Sequence, residues 1–242
     1  MRAAHLQRKR NGNAAVLTGQ PGVPPLRNGD HLTAPEFEKR YALLPDTRAE
    51  LIEGIVVMGS PVSERHASAQ STMTFLLKRY SLATPGLSCA ANASVRLDNK
   101  NEYQPDVLLR FESGRLARSK VAADGFLAGA PEFVAEIAMS SAAYDLHEKK
   151  LVYQRHLVPE YFVWEIMEEQ IHWFVLENRE YIEAEPDGQG VLRSRVFPGL
   201  WLEVPALLAG DANKAASILE MGLESAEHKK FLKKLAQRSR QE

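Results

Sequence analysis

Two short runs, Val107-Leu108-Leu109-Arg110-Phe111 and Phe133-Val134-Ala135-Glu136-Ile137-Ala138, constrain the fold more than any other feature of this chain. Each is a nearly continuous apolar stretch of strand length, the pattern of a strand covered on both faces. Gln104-Pro105-Asp106 leads into the first, and Glu136 lies inside the second. A carboxylate in such a setting is costly unless a cation or a donor meets it. Strand alternation puts Glu136 on the face opposite Ala135 and Ile137. One buried acid is explained by a hydrogen-bonded structural role. Two on adjacent core strands point to a shared cation. Hard oxygen donors without cysteine or paired histidine point to Mg²⁺ or Mn²⁺ rather than zinc.

The surrounding pattern supplies the covering layers. Thr33-Ala34-Pro35-Glu36 reads as a capped helix start, with the helix running to about Leu44 and stopping before Pro45. Residues 49–58 read as the end of a short helix or turn followed by a strand. Helical spacing of Ala67, Met73, Leu76, Leu77 and Tyr80 predicts a helix from Ser63 to about Tyr80. A strand is expected over 93–97, and 112–130 reads as a mobile charged connection. A further helix is expected from Ala142 to His156, a strand over 161–166, and a hairpin of 171–176 with 181–185. The result is an α/β domain with a central mixed β-sheet flanked by helices. On the Ala142–His156 helix, Lys149 and Lys150 both fit the inward spacing set by Leu146 and Tyr153, so periodicity does not choose between them.

Charge matters here because it is unevenly spread. The formal net charge is only -1, which is no footprint of bulk nucleic-acid binding. Basic residues gather at the two ends, however, with Arg2, Arg8, Lys9 and Arg10 at one and Lys229, Lys230, Lys233 and Lys234 at the other. They suit solvated tails or phosphate contacts. Residues 1–30 are expected to be a disordered basic tail, 31–208 the folded domain, and 209–242 a helical basic extension. The lone Cys89 excludes an intramolecular disulfide and a cysteine-rich zinc site. With no apolar run of about 18 residues and no secretion-signal core, the expectation is a cytoplasmic protein with no membrane segment.

Gln104-Pro105-Asp106, Glu136 in Val-Ala-Glu-Ile, Met139-Ser140-Ser141, Asp145, Glu148-Lys149 and Tyr153 together resemble a large bacterial family, the Uma type of restriction-endonuclease-like proteins. That family belongs to the PD-(D/E)XK nuclease superfamily. The likeness extends to Glu50-Leu51-Ile52-Glu53-Gly54, Ser60-Pro61, Arg65-His66, Val158 to Trp164 and Phe197-Pro198-Gly199-Leu200, covering roughly residues 33–208. It departs from the superfamily pattern at Ala138, where a lysine usually follows the glutamate by two positions. In this family the lysine comes from the following helix, and the resemblance thereby selects Lys149. Met139-Ser140-Ser141 also replaces the usual Ser-Pro-Ser turn.

The resemblance implies a restriction-endonuclease-like core and an endonuclease that hydrolyses DNA phosphodiester bonds. Asp106, Glu136 and the Ile137 carbonyl would hold Mg²⁺ or Mn²⁺, and Lys149 would orient or activate the attacking water and offset phosphate charge. Glu53 is a candidate for a second metal or a water, or else a turn acid before Gly54. His66 is a candidate cap or substrate contact, and Gln104 would position Asp106 or a water. Trp164, Trp173 and Trp201 lie in apolar strands and suit packing better than base stacking. DNA is the expected partner, and a homodimer follows if both strands of a duplex are cut. The competing expectation is a nuclease-fold protein that binds or regulates nucleic acid without robust catalysis.

Overall fold

The computed structural model describes residues 23–44, 47–139 and 141–239; the expected N-terminal tail (residues 1–22 of it), Pro45 and Ser140 lie outside the described residues. The first helix among the described residues is α1 (Ala34–Tyr41). Thr33 is its extended N-cap, and Pro35 sits in the first turn, but the cap side chain makes no hydrogen bond. Glu36 turns to Arg40 at 2.8 Å instead of reaching back to Thr33.

Residues 49–58 form a hairpin of β1 (Ala49–Ile52) and β2 (Ile55–Met58). The strand was expected; the stretch before it, read as a helix end or turn, is a second strand. Glu53 and Gly54 both have positive φ, 51° and 81°, as a tight two-residue hairpin turn needs. α2 (Glu64–Ala83) follows, capped by Ser63, whose hydroxyl accepts from the His66 backbone N–H.

Next come β3 (Leu87–Ala91), β4 (Val95–Asp98), β5 (Asn101–Tyr103) and β6 (Val107–Phe111). Residues 112–130 hold two further strands, β7 (Ser119–Val121) and β8 (Leu127–Gly129), where a mobile connection was expected. Glu132 explains their order: its carboxylate accepts the backbone N–H of Phe111 at 2.9 Å and of Arg118 at 2.8 Å, stapling both ends of the intervening loop. β9 (Phe133–Ala138) precedes a π-helical turn (Tyr144–Lys149) that runs into α3 (Lys150–Arg155).

The C-terminal third adds β10 (Glu160–Glu165), β11 (Gln170–Glu177), β12 (Glu180–Glu183), β13 (Val191–Arg193) and β14 (Trp201–Glu203). It ends with α4 (Val204–Leu208), α5 (Ala212–Glu224) and α6 (Ala226–Ser239). The site-bearing sheet has the order β12-β11-β10-β9-β6-β3; a second runs β2-β1-β5-β4-β8-β7. Only β9 and β10 pair in parallel within the first sheet, which makes it mixed.

Alternation along β9 sorts the core. Phe133, Ala135 and Ile137 pack with Met73, Leu76 and Tyr80 of α2. Val134 and Ala138 pack on the other face with Val152 and Tyr153 of α3. Each large side chain fully buried this way contributes about 1.5–3 kcal/mol. The C-terminal helices join the first cluster through Ala215, Leu219 and Leu223. Gly222 of α5 lies so close to Gly199 that a Cβ there would stand 2.2 Å from the Gly199 carbonyl oxygen. Trp164 and Trp173 are buried in the same cluster, and Trp201 donates its indole N–H to Glu227 at 2.7 Å while Arg193 stacks on its ring. No helix among the described residues is long and apolar enough to cross a membrane.

Candidate active site

The antiparallel register of β6 with β9 pairs Leu108 with Val134 and Val107 with Ala135. One residue further along, Asp106 falls opposite Glu136. The Ile137 N–H donates to Asp106 Oδ2 at 2.8 Å, and the Asp106 N–H lies 3.4 Å from Glu136 Oε2. Each carboxyl group is thereby tied to the backbone of the segment that carries the other. Both are buried, at 5% and 3% exposure.

Glu136 shares the β9 face that packs against α3, and there it meets Lys149. The ammonium Nζ lies 3.1 Å from Glu136 Oε1, 2.9 Å from Glu50 Oε2 and 3.3 Å from Asp145 Oδ1. The last contact is an ion pair whose geometry falls short of a hydrogen bond. The Tyr153 hydroxyl also donates to Glu136 Oε1, at 3.3 Å. Lys150 points elsewhere, with its ammonium 3.7 Å from the centre of the Phe174 ring. The choice that periodicity leaves open is settled in position by the π-helical turn, which buries Asp145 and Lys149 together while His147 and Glu148 stay exposed.

These groups line a cleft of about 280 Å³ in which four carboxylates, Glu50, Asp106, Glu136 and Asp145, face Lys149 and Arg48. Burial and the surplus of negative charge set the protonation behaviour. Burial pushes the Glu136 carboxyl well above its ordinary range; Lys149 opposes the push, and Asp145, Glu50 and Asp106 reinforce it. Asp145 is raised by burial as well, again against the pull of Lys149. Burial works against the charge on Lys149, but Glu136, Glu50 and Asp145 outweigh it and hold its pKa well above that of a free lysine. Lys149 is therefore a charged ammonium, not a base.

The other expected residues divide. His66 comes to the cleft from the first turn of α2, its Nε2 3.4 Å from Asp106 Oδ2, and its buried Nδ1 has no hydrogen-bond partner. Gln104 contributes backbone, since its N–H donates to Glu50 Oε1 at 2.8 Å. Its side-chain amide turns away to the Tyr41 hydroxyl and Ser94. Glu53 is not brought to the cluster. It sits at the hairpin turn, bound by Arg155 and by the Asn101 amide; although its slight burial raises its pKa, these partners bring it below the ordinary value. The position expected of Glu53 is filled by Glu50 from the same hairpin. Arg48 is a further residue that sequence reasoning left out, 3.8 Å from Asp106 Oδ1 and 41% exposed at the cleft mouth.

Among the described residues, no group of three or more His, Cys, Asp or Glu is arranged to hold a metal by itself. A hard divalent ion that keeps several waters needs only one or two carboxylates. Asp106 and Glu136 meet that demand, and the excess of carboxylates over cations in the cleft suits a double positive charge.

A mixed sheet between helical layers, with two acids and a buried lysine gathered at one strand edge, defines an α/β protein of the nuclease-fold class. The chain belongs to the Uma2 family, whose model, described as "Putative restriction endonuclease", matches residues 34–205. Among solved structures it is similar to the crystal structure of a "putative nuclease belonging to DUF820" from Anabaena variabilis ATCC 29413. The TM-score is 0.59 and the identity 19%, over 74% of this chain and 98% of that one. No curated protein was found to match.

Proposed function

We propose that this protein is a divalent-metal-dependent endonuclease that hydrolyses DNA phosphodiester bonds in the cytoplasm. The observation that carries the reading is the convergence of Asp106 and Glu136 on one cleft with the Lys149 ammonium 3.1 Å from Glu136. Asp106, Glu136 and the Ile137 carbonyl would hold Mg²⁺ or Mn²⁺. When bound, the ion supplies Lewis-acid polarisation of a phosphoryl oxygen and a more acidic water.

The remaining work falls to the chain. Lys149 places a fixed positive charge where negative charge grows on the phosphate, and at its buried position that charge is worth more than at the surface. Glu50 and Asp145 hold it there. Arg48 and His66 stand at the mouth, positioned to donate to non-bridging phosphate oxygens. Cutting both strands of a duplex would call for two such centres and hence a homodimer.

Supercoiled plasmid and single-stranded circular DNA, incubated with Mg²⁺ or Mn²⁺, test the reading. Wild type should cut at least one and Asp106→Ala neither. Failure of wild type on both, or equal cutting by the variant, would overturn it.

A further inference from the structure

A second groove runs along α2 and is linked to the cleft through Gln70. Gln70 forms the junction: its side-chain amide donates to the backbone oxygen of Asp106 at 3.1 Å and to the Asn92 side chain at 3.0 Å. Beyond it lie Thr74, Phe75, Lys78 and Leu82, in an open groove of about 570 Å³ between α2 and the end of β3. Phe75 is 51% exposed and Leu82 72% exposed, an unusual pair for one face of a helix whose opposite face is a packed core. Of the two cations lining the groove, Arg79 is paired with Glu220 at 2.7 Å, which leaves the Lys78 ammonium to face it, with no carboxylate among the lining side chains. In a chain of net charge -1, an ammonium in a groove lined by no carboxylate matches a phosphate group.

We infer that this groove seats an unpaired nucleic-acid strand next to the cleavage site, with a base stacked on Phe75 and a phosphate on Lys78. The inference rests on the nuclease reading above and specifies its substrate as single-stranded. At about 1.5 Å of rise per residue, Phe75 lies about 7 Å along the helix from Gln70, and Lys78 about 12 Å. That is the scale of the nucleotides flanking the bond to be cut. Phe75 and Lys78 are three residues apart, so they are neighbours on the helix surface. A duplex offers its phosphates and hides its base faces, leaving exposed Phe75 and Leu82 against charge. An unpaired strand offers π-faces to the ring and phosphates to the lysine. A second copy of this chain is the competing occupant of the same apolar face.

Fluorescence anisotropy on the full chain, with a labelled oligothymidine and a duplex of matched length in Ca²⁺ buffer, reads the inference directly. Wild type should bind the single strand more tightly than the duplex. Phe75→Ala should weaken single-strand binding about 5- to 150-fold, the worth of one stacked base. Phe75→Trp should retain it, and the exposed Met221→Ala on α5 should leave it unchanged. Equal single-strand affinity for wild type and Phe75→Ala overturns the inference. So does a Phe75→Ala protein that changes from dimer to monomer by light scattering with no loss of strand affinity. A wild type that cuts duplex but not single-stranded DNA removes the inference and leaves the nuclease reading standing. Loss of binding in Phe75→Ala by a wild type that cuts nothing supports the groove and removes the nuclease reading.

Discussion

Replacing Lys149 by methionine keeps most of its length and removes its charge. The ammonium touches Glu50 at 2.9 Å, Glu136 at 3.1 Å and Asp145 at 3.3 Å. Each contact amounts to about 5 kcal/mol of attraction at an effective dielectric of roughly 20, most of it offset by desolvation. Removing one partner of a buried ion pair costs about 3–5 kcal/mol, because the carboxylates left behind are buried without compensation. For a chain of this size, 1 kcal/mol moves the melting temperature by about 2–4 °C. The Lys149→Met protein should therefore melt about 6–20 °C lower than wild type near pH 8. The deficit has a pH signature. Glu136 and Asp145 are already raised above their ordinary values of 4.5 and 3.8, so they hold protons more tightly in the folded chain than in the unfolded one. Their penalty is absent below those ordinary values and grows as pH rises through the folded ones. Without Lys149 both move higher, and the deficit should shrink as the pH falls towards 5. Thermal melts by circular dichroism at pH 5, 6, 7 and 8 read this out. A deficit under about 2 °C at pH 8, or one constant across the series, would refute the claim that Lys149 is what stabilises this cluster.

Other outcomes follow from the same geometry. Mn²⁺ at a hundredfold excess over its dissociation constant should stabilise the wild type by about 2.7 kcal/mol, or about 5–11 °C in melting temperature, and Asp106→Asn should lose that shift. Burial pushes Glu160 up to about 7 although Ser194, Arg195 and Val196 donate to it. Its contribution is complete below 4.5 and lost as pH rises through about 7, so Glu160→Gln should flatten the melting temperature between those values. Gly222→Ala would drive a methyl into the Gly199 carbonyl and should cost about 1–3 kcal/mol by overpacking, read as an earlier urea midpoint with unchanged slope.

Asp106 and Glu136 were legible because the strands that carry them are apolar on both sides of the sheet, so their acids stand out. Yet burial alone is a poor guide in this chain. Glu132 and Glu160 are as buried as Glu136, and each binds the backbone of a loop distant in sequence. What separates Glu136 from them is its partner, an ammonium from a helix turn, and partners across 13 residues are not written in local pattern. Glu50 stayed hidden for a different reason. Reading the start of 49–58 as a helix end or turn conceals the alternation that turns Glu50 and Ile52 toward Tyr103 and Tyr153, away from Ala49 and Leu51. The order in 112–130 escaped because its strands are three residues each and depend on Glu132 to close their loop. Helix α2 was plain from its period, and strands β6 and β9 from their nearly unbroken apolar runs.

The π-helical turn at Tyr144–Lys149 has a consequence for how such chains can diverge. A π turn is one residue longer than the α turn it replaces. Tightening that turn to α with no residue deleted would rotate all that follow by about 100°. Lys149 would swing out of the cleft, and a neighbour would arrive in its stead. In this chain, which lysine reaches the carboxylates is thus decided by the type of turn as much as by residue type. Aligning such chains by matching letters, without counting turns, would pair lysines that occupy different places in space.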